Sequence, residues 1–305
     1  MKAGTNLEKV LTSGKFAVTA EAGPPKGTSS AVVQKKGDQL RNCCDAVNVT
    51  DNQTAVVRMS SIGGCVLLKQ QGVEPVMQMV CRDRNRIAIQ SDILAAVALG
   101  IHNVLCISGD HQSFGNHPSA KGVFDIDSIQ LIQVLKKMRD ERKFINDEDI
   151  AGDVPLFIGA AANPYADPFD FRVTRLFKKI EAGAEFIQTQ AIYNVPKFIK
   201  WMEMVTDRGL DKRAHILAGV IPIRSAGMVR YMKEYVAGVE VPDELLDRMQ
   251  KAENAKEEGV KIIVDIIEQL KEISGVHGVH IMAVGWEEIV PEIAERAGLM
   301  PRPVL

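Results

Sequence analysis

Three places in this 305-residue chain put polar groups where an apolar run stops. The first is Ala20-Glu21-Ala22-Gly23-Pro24-Pro25. A carboxylate at the end of an apolar run, between small residues, loses water, and desolvation raises its pKa. A carboxyl group kept protonated near neutral pH can act as a general acid. The second is Ser108-Gly109-Asp110, where glycine lets a ligand approach the backbone and Asp110 adds a second negative charge. Two carboxylates in one site can be driven to different pKa values and so to different roles. The third is Gln188-Thr189-Gln190. An amide both donates and accepts, which suits a heterocycle with a mixed edge such as a pterin or a flavin. Each place also has a purely structural alternative: an ion pair for Glu21, a turn for Asp110, internal hydrogen bonds for the glutamines.

These groups need a scaffold that brings the ends of distant runs together. Eight short runs of strand-forming residues recur, at 16–21, 45–51, 75–81, 103–110, 155–161, 186–193, 215–222 and 279–285, each followed by a helical pattern. Their near-continuous Val, Ile and Ala content is that of parallel strands buried on both faces. Eight such units predict one α/β domain over residues 1–305, a closed (β/α)8 TIM barrel. Its chemistry then sits at the C-terminal ends of the strands. Strand alternation puts Gln188 and Gln190 on one side, the barrel interior. Further strand-end candidates are Thr50, Gln78 and Asn163, and the following helix offers Arg172, Arg175, Lys178 and Lys179 for a phosphate. Lys178 and Lys179 could equally complement a helix dipole.

Between the strands, Ile87, Leu94, Val97 and Ile101 are spaced as one helix face, as are Ile263, Ile266, Ile267, Leu270 and Ile273. Asp127 with Gln130 reads as a capping box, and Asp167-Pro168 as a capping acid followed by a first-turn proline. Gly72, Gly100 and Gly183 fall where helices should stop. Three connections are long: 111–125 on the active rim, a possible lid or cofactor loop; 140–153 on the opposite rim, a solvated loop; and 237–254, an extra helix.

A 46% hydrophobic and 25% charged composition is that of an ordinary globular protein, and a net charge of −2 gives no reason to expect nucleic acid as a partner. The first residues have no signal-peptide core and no apolar run is long enough to span a membrane, so the expectation is a cytoplasmic protein. Five cysteines without paired spacing suit reduced thiols. No metal site is expected, because His111 and His117 match no zinc spacing and Cys43-Cys44 is not a CxxC pair. No glycine-rich nucleotide fingerprint occurs. The apolar stretch 299–305 reads as a surface for a neighbouring copy, hence an oligomer.

Taken in order and on their strands, Glu21 before a double proline, Gly109-Asp110 and Thr189-Gln190 resemble the methylenetetrahydrofolate reductase family. The resemblance covers nearly the whole chain, and residues 81–129 are similar to a bacterial subgroup of it. It implies a flavin-bearing barrel, with FAD by family pattern and FMN as the other possibility, that reduces 5,10-methylenetetrahydrofolate to 5-methyltetrahydrofolate. Glu21 would be the acid that protonates N10, Asp110 would contact the pterin and stabilise an iminium cation, and Gln190 would hydrogen-bond the pterin. Thr50, Gln78, Ser108, Gly109, Asp110, Phe124, Asp125, Asn163, Lys178 and Lys179 match positions near the flavin. The chain departs from the pattern at Ala22 and Gly23, where two aromatics are usual, at Met228 in place of a glutamine, and at Trp286 in place of a folate-contacting arginine. These departures suggest a rim opened by small residues and an electron-transfer partner, a flavin or iron–sulfur protein, instead of NAD(P)H as direct reductant. A flavin-free lyase or aldolase, or a docking subunit of an electron-transfer complex, are the alternatives.

Overall fold

The apolar runs become strands because they are buried on both faces; every residue of Pro75–Val80 is buried. A computed structural model describes residues 1–305. Its strands are β1 (Ala17–Ala22), β2 (Ala46–Val49), β3 (Pro75–Val80), β4 (Asn103–Ile107), β5 (Phe157–Ala162), β6 (Phe186–Ala191), β7 (His215–Val220) and β8 (Val276–Ile281). All pair in parallel in sequence order, and β8 closes on β1, which is the predicted (β/α)8 barrel. Helix α1 (Asn6–Thr12) precedes β1. Helices α2 (Ser30–Leu40), α3 (Ser61–Gln70), α4 (Arg86–Ala98), α5 (Ser128–Asp140), α6 (Phe169–Ala182) and α7 (Val195–Asp207) follow β1 to β6 in turn. Three helices, α8 (Ala226–Tyr235), α9 (Asp243–Lys251) and α10 (Ala255–Lys271), separate β7 from β8, and α11 (Val290–Arg296) follows β8. The extra helix expected within 237–254 is α9.

The barrel interior is built in layers. At its N-terminal end Leu7, Val10 and Leu11 of α1 pack on Ala17, Ala46, Val76, Leu105, Phe157, Phe186 and Leu217. Each such buried aliphatic side chain of α1 contributes about 1.5–3 kcal/mol. The Glu74 carboxylate holds α1 in place by accepting the N–H groups of Asn6 and Leu7. Two residues further along the strands the layer is polar. Asn48 and Gln188 exchange amide hydrogen bonds of 2.6 and 3.1 Å, and Gln188 also donates to Thr19 Oγ1 at 3.1 Å. His280 Nδ1 lies 2.9 Å from the same hydroxyl, and burial pushes the imidazole down to about 3, so it is neutral. For Gln188, therefore, the internal-hydrogen-bond alternative is the one realised.

Several boundaries differ from expectation. Strand β8 begins three residues earlier than its apolar run: Val276 already pairs with Ile216, and His277 Nδ1 accepts the Ile216 N–H where the register shifts. Strand β4 ends at Ile107, since Gly109 turns the chain with φ +87. Helix α4 buries Ile89, Ile93 and Ala96, whereas Ile87 is 74% exposed. Asn85 caps this helix and places Ile87 in its first turn, beside Phe144 and Ile145 instead of the core. The Asp127 capping box forms, but Asp167 caps nothing: Pro168 is itself the N-cap, still extended, and α6 starts one residue later. Gly72, Gly100 and Gly183 do end helices, all with positive φ. The 140–153 connection is more ordered than a solvated loop, with a bridge between Lys143 and Asp149 and the Ile145 N–H bound to Gln90. The C-terminal stretch folds onto its own barrel, where Arg302 pairs with buried Asp45 at 2.5 Å and donates to Phe16 O. Of its apolar side chains, Val304 and Leu305 are exposed. No helix is long and apolar enough to cross a membrane.

Candidate active site

Alternation lifts a second set of side chains one layer above the Thr19–Asn48–Gln188 network. Two residues on from each come Glu21, Thr50 and Gln190, so strand alternation carries them toward one mouth. They line a cavity of about 280 Å³ together with Gln78, Gly109 and Asp110. A further contribution comes from the β6–β7 pairing, whose register shifts between Gln188 and Ala191. In that bulge the Thr189 hydroxyl accepts the Gly219 N–H at 2.9 Å and donates to Gln190 O at 2.8 Å. Gln190 is thereby exposed at the mouth while its neighbours stay buried.

Glu21 has no ion-pair partner. Gln53 Nε2 and Gln78 Nε2 approach its two oxygens at 3.4 Å each, long contacts that leave the carboxyl free to rearrange. The side chain is half-buried between two cavities, and its loss of water pushes its pKa up to about 7. Repulsion from Glu287 adds to the rise, while Gln78, Lys36 and Gln53 oppose it. Asp110 is exposed at the rim. Its main chain is held by Arg82, which donates to Asp110 O at 3.0 Å and to Asn52 O at 3.2 Å, tying the β2 and β4 loops together. At Gly109 a Cβ would lie 3.1 Å from Val80 Cβ and 3.2 Å from Arg82 Cβ, so a side chain there would crowd the cavity wall.

A second cavity, of about 140 Å³, shares Gln190 with the first and is lined by Asn163, Arg172, Arg175 and Lys179. Lys179 Nζ donates to Ala161 O at 2.5 Å, and burial with Arg175 nearby pushes its pKa down to about 8. At these two cavities, two buried polar atoms are left without partners: Thr50 Oγ1 in the first and Arg172 Nε at the second. A ligand with a polar ring and an anionic arm would satisfy both.

Other expected residues stand apart. Lys178 is exposed and outside both cavities, because the helical turn that sends Lys179 inward sends Lys178 out. Asp125 is held by Arg86 at 2.7 Å, which pushes its carboxyl down to about 2 and commits it to the start of α4. Phe124 is 42% exposed on the β4 loop, in the positive-φ region at +41, and Ser108 contributes a carbonyl to Arg82 N–H. Ala22 points into the core at 3% exposure, so it does not open the rim; Gly23 does, with Thr50 and Gln53 at ordinary contact distance from a Cβ placed there. Trp286 is 7% exposed in the core, and Arg224 instead crosses the β8 loop, donating to Gly285 O at 3.2 Å. Gln53, Arg58, Arg82, Lys36 and Glu287 line or brace the site without having been singled out by the sequence.

A family model described as "Methylenetetrahydrofolate reductase" matches residues 6–298. The chain belongs to the methylenetetrahydrofolate reductase family. Methylenetetrahydrofolate reductase 2 of Schizosaccharomyces pombe is 26% identical over 323 residues, covering 99% of this chain and 48% of the yeast protein. The chain thus spans about half the length of the fungal relative. The 5,10-methylenetetrahydrofolate reductase of Pectobacterium carotovorum is 21% identical over 237 residues, 76% of this chain and 72% of that protein. Among solved structures, an uncharacterized protein from Clostridium thermocellum that binds two copies of 5-methyl-5,6,7,8-tetrahydrofolic acid superposes with a TM-score of 0.63 at 15% identity. That match covers 97% of this chain and 99% of the other, and at this identity it is a likeness of fold. Both of these relatives carry the reductase name, and the cavity described above lies at the C-terminal ends of the strands, the face on which (β/α)8 barrels carry chemistry.

Proposed function

We propose that this methylenetetrahydrofolate reductase family chain reduces 5,10-methylenetetrahydrofolate to 5-methyltetrahydrofolate with a bound flavin. The observation that carries the reading is that Glu21, Asp110 and Gln190 line one cavity, with Glu21 pushed up to about 7. Glu21 holds a proton near neutral pH and delivers it to N10, so that the five-membered ring opens to an iminium cation. Asp110 supplies a negative charge at the rim that stabilises the cation, and Gln190 reads the pterin edge with a donor and an acceptor. Thr50 and Gln78 present polar groups to a ring in the first cavity, and Asn163, Arg172, Arg175 and Lys179 receive a phosphate arm in the second. When bound, the flavin supplies the hydride that the exocyclic methylene carbon accepts. A fold neighbour that binds the methylated product's chemical form supports the substrate class.

The cationic cavity serves the phosphates of FAD or FMN alike, and chromatography of the acid-extracted cofactor distinguishes the two. Lys179→Met is expected to lower flavin affinity tenfold or more, read as flavin absorbance per folded chain, since it removes a desolvated cation from the second cavity. A colourless wild-type protein that binds neither flavin overturns the reading. Electrons come from a partner flavin or iron–sulfur protein docking at the mouth, where Gly23 leaves the wall low and Val57, Phe114 and Phe124 are exposed. Rapid anaerobic reduction of the bound flavin by NADH or NADPH would remove the partner from the scheme.

A further inference from the structure

The chain leaving β1 is held at three successive carbonyls. Lys36 Nζ donates to Gly23 O at 2.9 Å, an Arg58 guanidinium N–H donates to Pro24 O at 3.2 Å, and the Met59 N–H donates to Pro25 O at 2.9 Å. Gly23 is two residues beyond Glu21, so the first of these bonds sets the direction in which the strand, and its carboxyl group, leaves the barrel. The same Lys36 ammonium pairs with Glu287 Oε1 at 2.5 Å. It comes from α2 and its partner from the short 3-10 turn after β8. The side chains are 18% and 7% exposed, so both charges have lost most of their water. Lys36, Glu287, Arg58 and Glu21 line one cavity of about 180 Å³ behind the acid.

A desolvated ion pair stabilises a fold little better than apolar side chains of similar size. Its place beside a proton donor calls for another account. Resting on the reading of Glu21 as that donor, we propose that Lys36 and Glu287 form a positioning pair that sets the pH range over which Glu21 keeps its proton. Glu287 disfavours a second negative charge beside it, and Lys36 favours one. The two effects on Glu21 are opposite in sign, so removing either charge leaves the other unopposed. The other charges facing Glu21 are Arg58 from the loop after β2, and Asp51, Arg82 and Asp110 around the main cavity. Asp51 is neutralised by Arg84 at 2.6 Å and Arg82 by Asp83 at 2.7 Å. Arg58 is spent on Pro24 O, so Lys36 and Glu287 are the ion pair through which a single substitution unbalances the acid without touching the main cavity.

The test is the pH profile of single-turnover reduction of methylenetetrahydrofolate by flavin-loaded, prereduced protein, whose rate falls as Glu21 loses its proton. Glu287→Gln leaves Lys36 unopposed and is expected to move that basic limb down by about one pH unit. Lys36→Met leaves Glu287 unopposed and is expected to move it up, and the double variant should return close to the wild-type position. An independent readout is the protonated-carboxyl infrared band of the flavin-free protein, assigned by its loss in Glu21→Gln, whose titration should shift with the same signs. Should Lys36→Met fail to fold, Glu287→Gln and the double variant still decide. A limb and a band that stay in place in Glu287→Gln, or move up, overturn the pairing role while Glu21→Gln inactivity leaves the acid assignment standing; wild-type turnover in Glu21→Gln overturns both.

Discussion

Glu21→Gln should reduce methylenetetrahydrofolate about 10²–10⁴-fold more slowly than the wild type, the range over which a positioned general acid contributes. The substitution changes little else. Glutamine has nearly the same shape, and the two neighbouring amides, Gln53 and Gln78, remain able to hydrogen-bond it at the long 3.4 Å contacts they already make. Folding, flavin content and the rate at which the flavin accepts electrons should therefore match the wild type. What disappears is the proton at N10. On the proposed mechanism that proton is present below the raised pKa of about 7 and is lost as pH rises through it, so wild-type activity should fall on the alkaline side. The variant should show a low rate with no such limb. A Glu21→Gln protein that turns over at the wild-type rate sinks the assignment, and one that loses its flavin as well would mean that the carboxyl is structural.

The barrel was readable because its strands are short and buried on both faces, so polar groups stand out near the C-terminal ends of the apolar runs. That one property exposed Glu21, Gly109, Asp110 and Gln190 together, residues up to 169 positions apart (190 − 21) that strand register brings to one mouth. Residues reaching the site from elsewhere left no such mark. Lys36 belongs to α2 and works through the far end of a long flexible side chain; Glu287 and Gln53 lie in short 3-10 turns; Arg58 comes from an irregular loop. No periodicity separates these from ordinary surface charge. Asp125, placed near the flavin by resemblance, has a partner the sequence does not show: Arg86, 39 residues earlier, pairs with it. Ala22 and Gly23 looked alike as small residues opening the rim, yet alternation turns Ala22 into the core and leaves Gly23 alone to widen it. Lys178 and Lys179 differ for the same kind of reason: adjacent positions on a helix face directions about 100° apart, so the lysine that faces the second cavity excludes its neighbour.

Gly219→Ala should damage the site from behind. A Cβ on Gly219 would stand 2.2 Å from Thr189 O, 2.8 Å from Met282 Cε and 3.0 Å from Gln190 O. The methionine can move, but the two carbonyls belong to the β6 bulge and cannot move without undoing it. Relief requires β6 and β7 to part, which weakens the Gly219 N–H to Thr189 Oγ1 bond and, with it, the turn that brings Gln190 to the mouth. Overpacking of this kind costs about 1–3 kcal/mol, and the backbone origin of the clash puts Gly219→Ala at the upper end. Melting temperature should fall by several degrees. The functional consequence is more specific: KM for methylenetetrahydrofolate should rise about tenfold, as a buried or edge hydrogen bond worth ~1–1.5 kcal/mol is lost, while flavin content holds. Gln190→Ala supplies the reference, since it removes the same amide contact without straining the barrel. It should reproduce the rise in KM with an unchanged melting temperature. If Gly219→Ala lowers stability but leaves KM untouched, the bulge is a folding feature only, and the amide reaches the pterin by some other support.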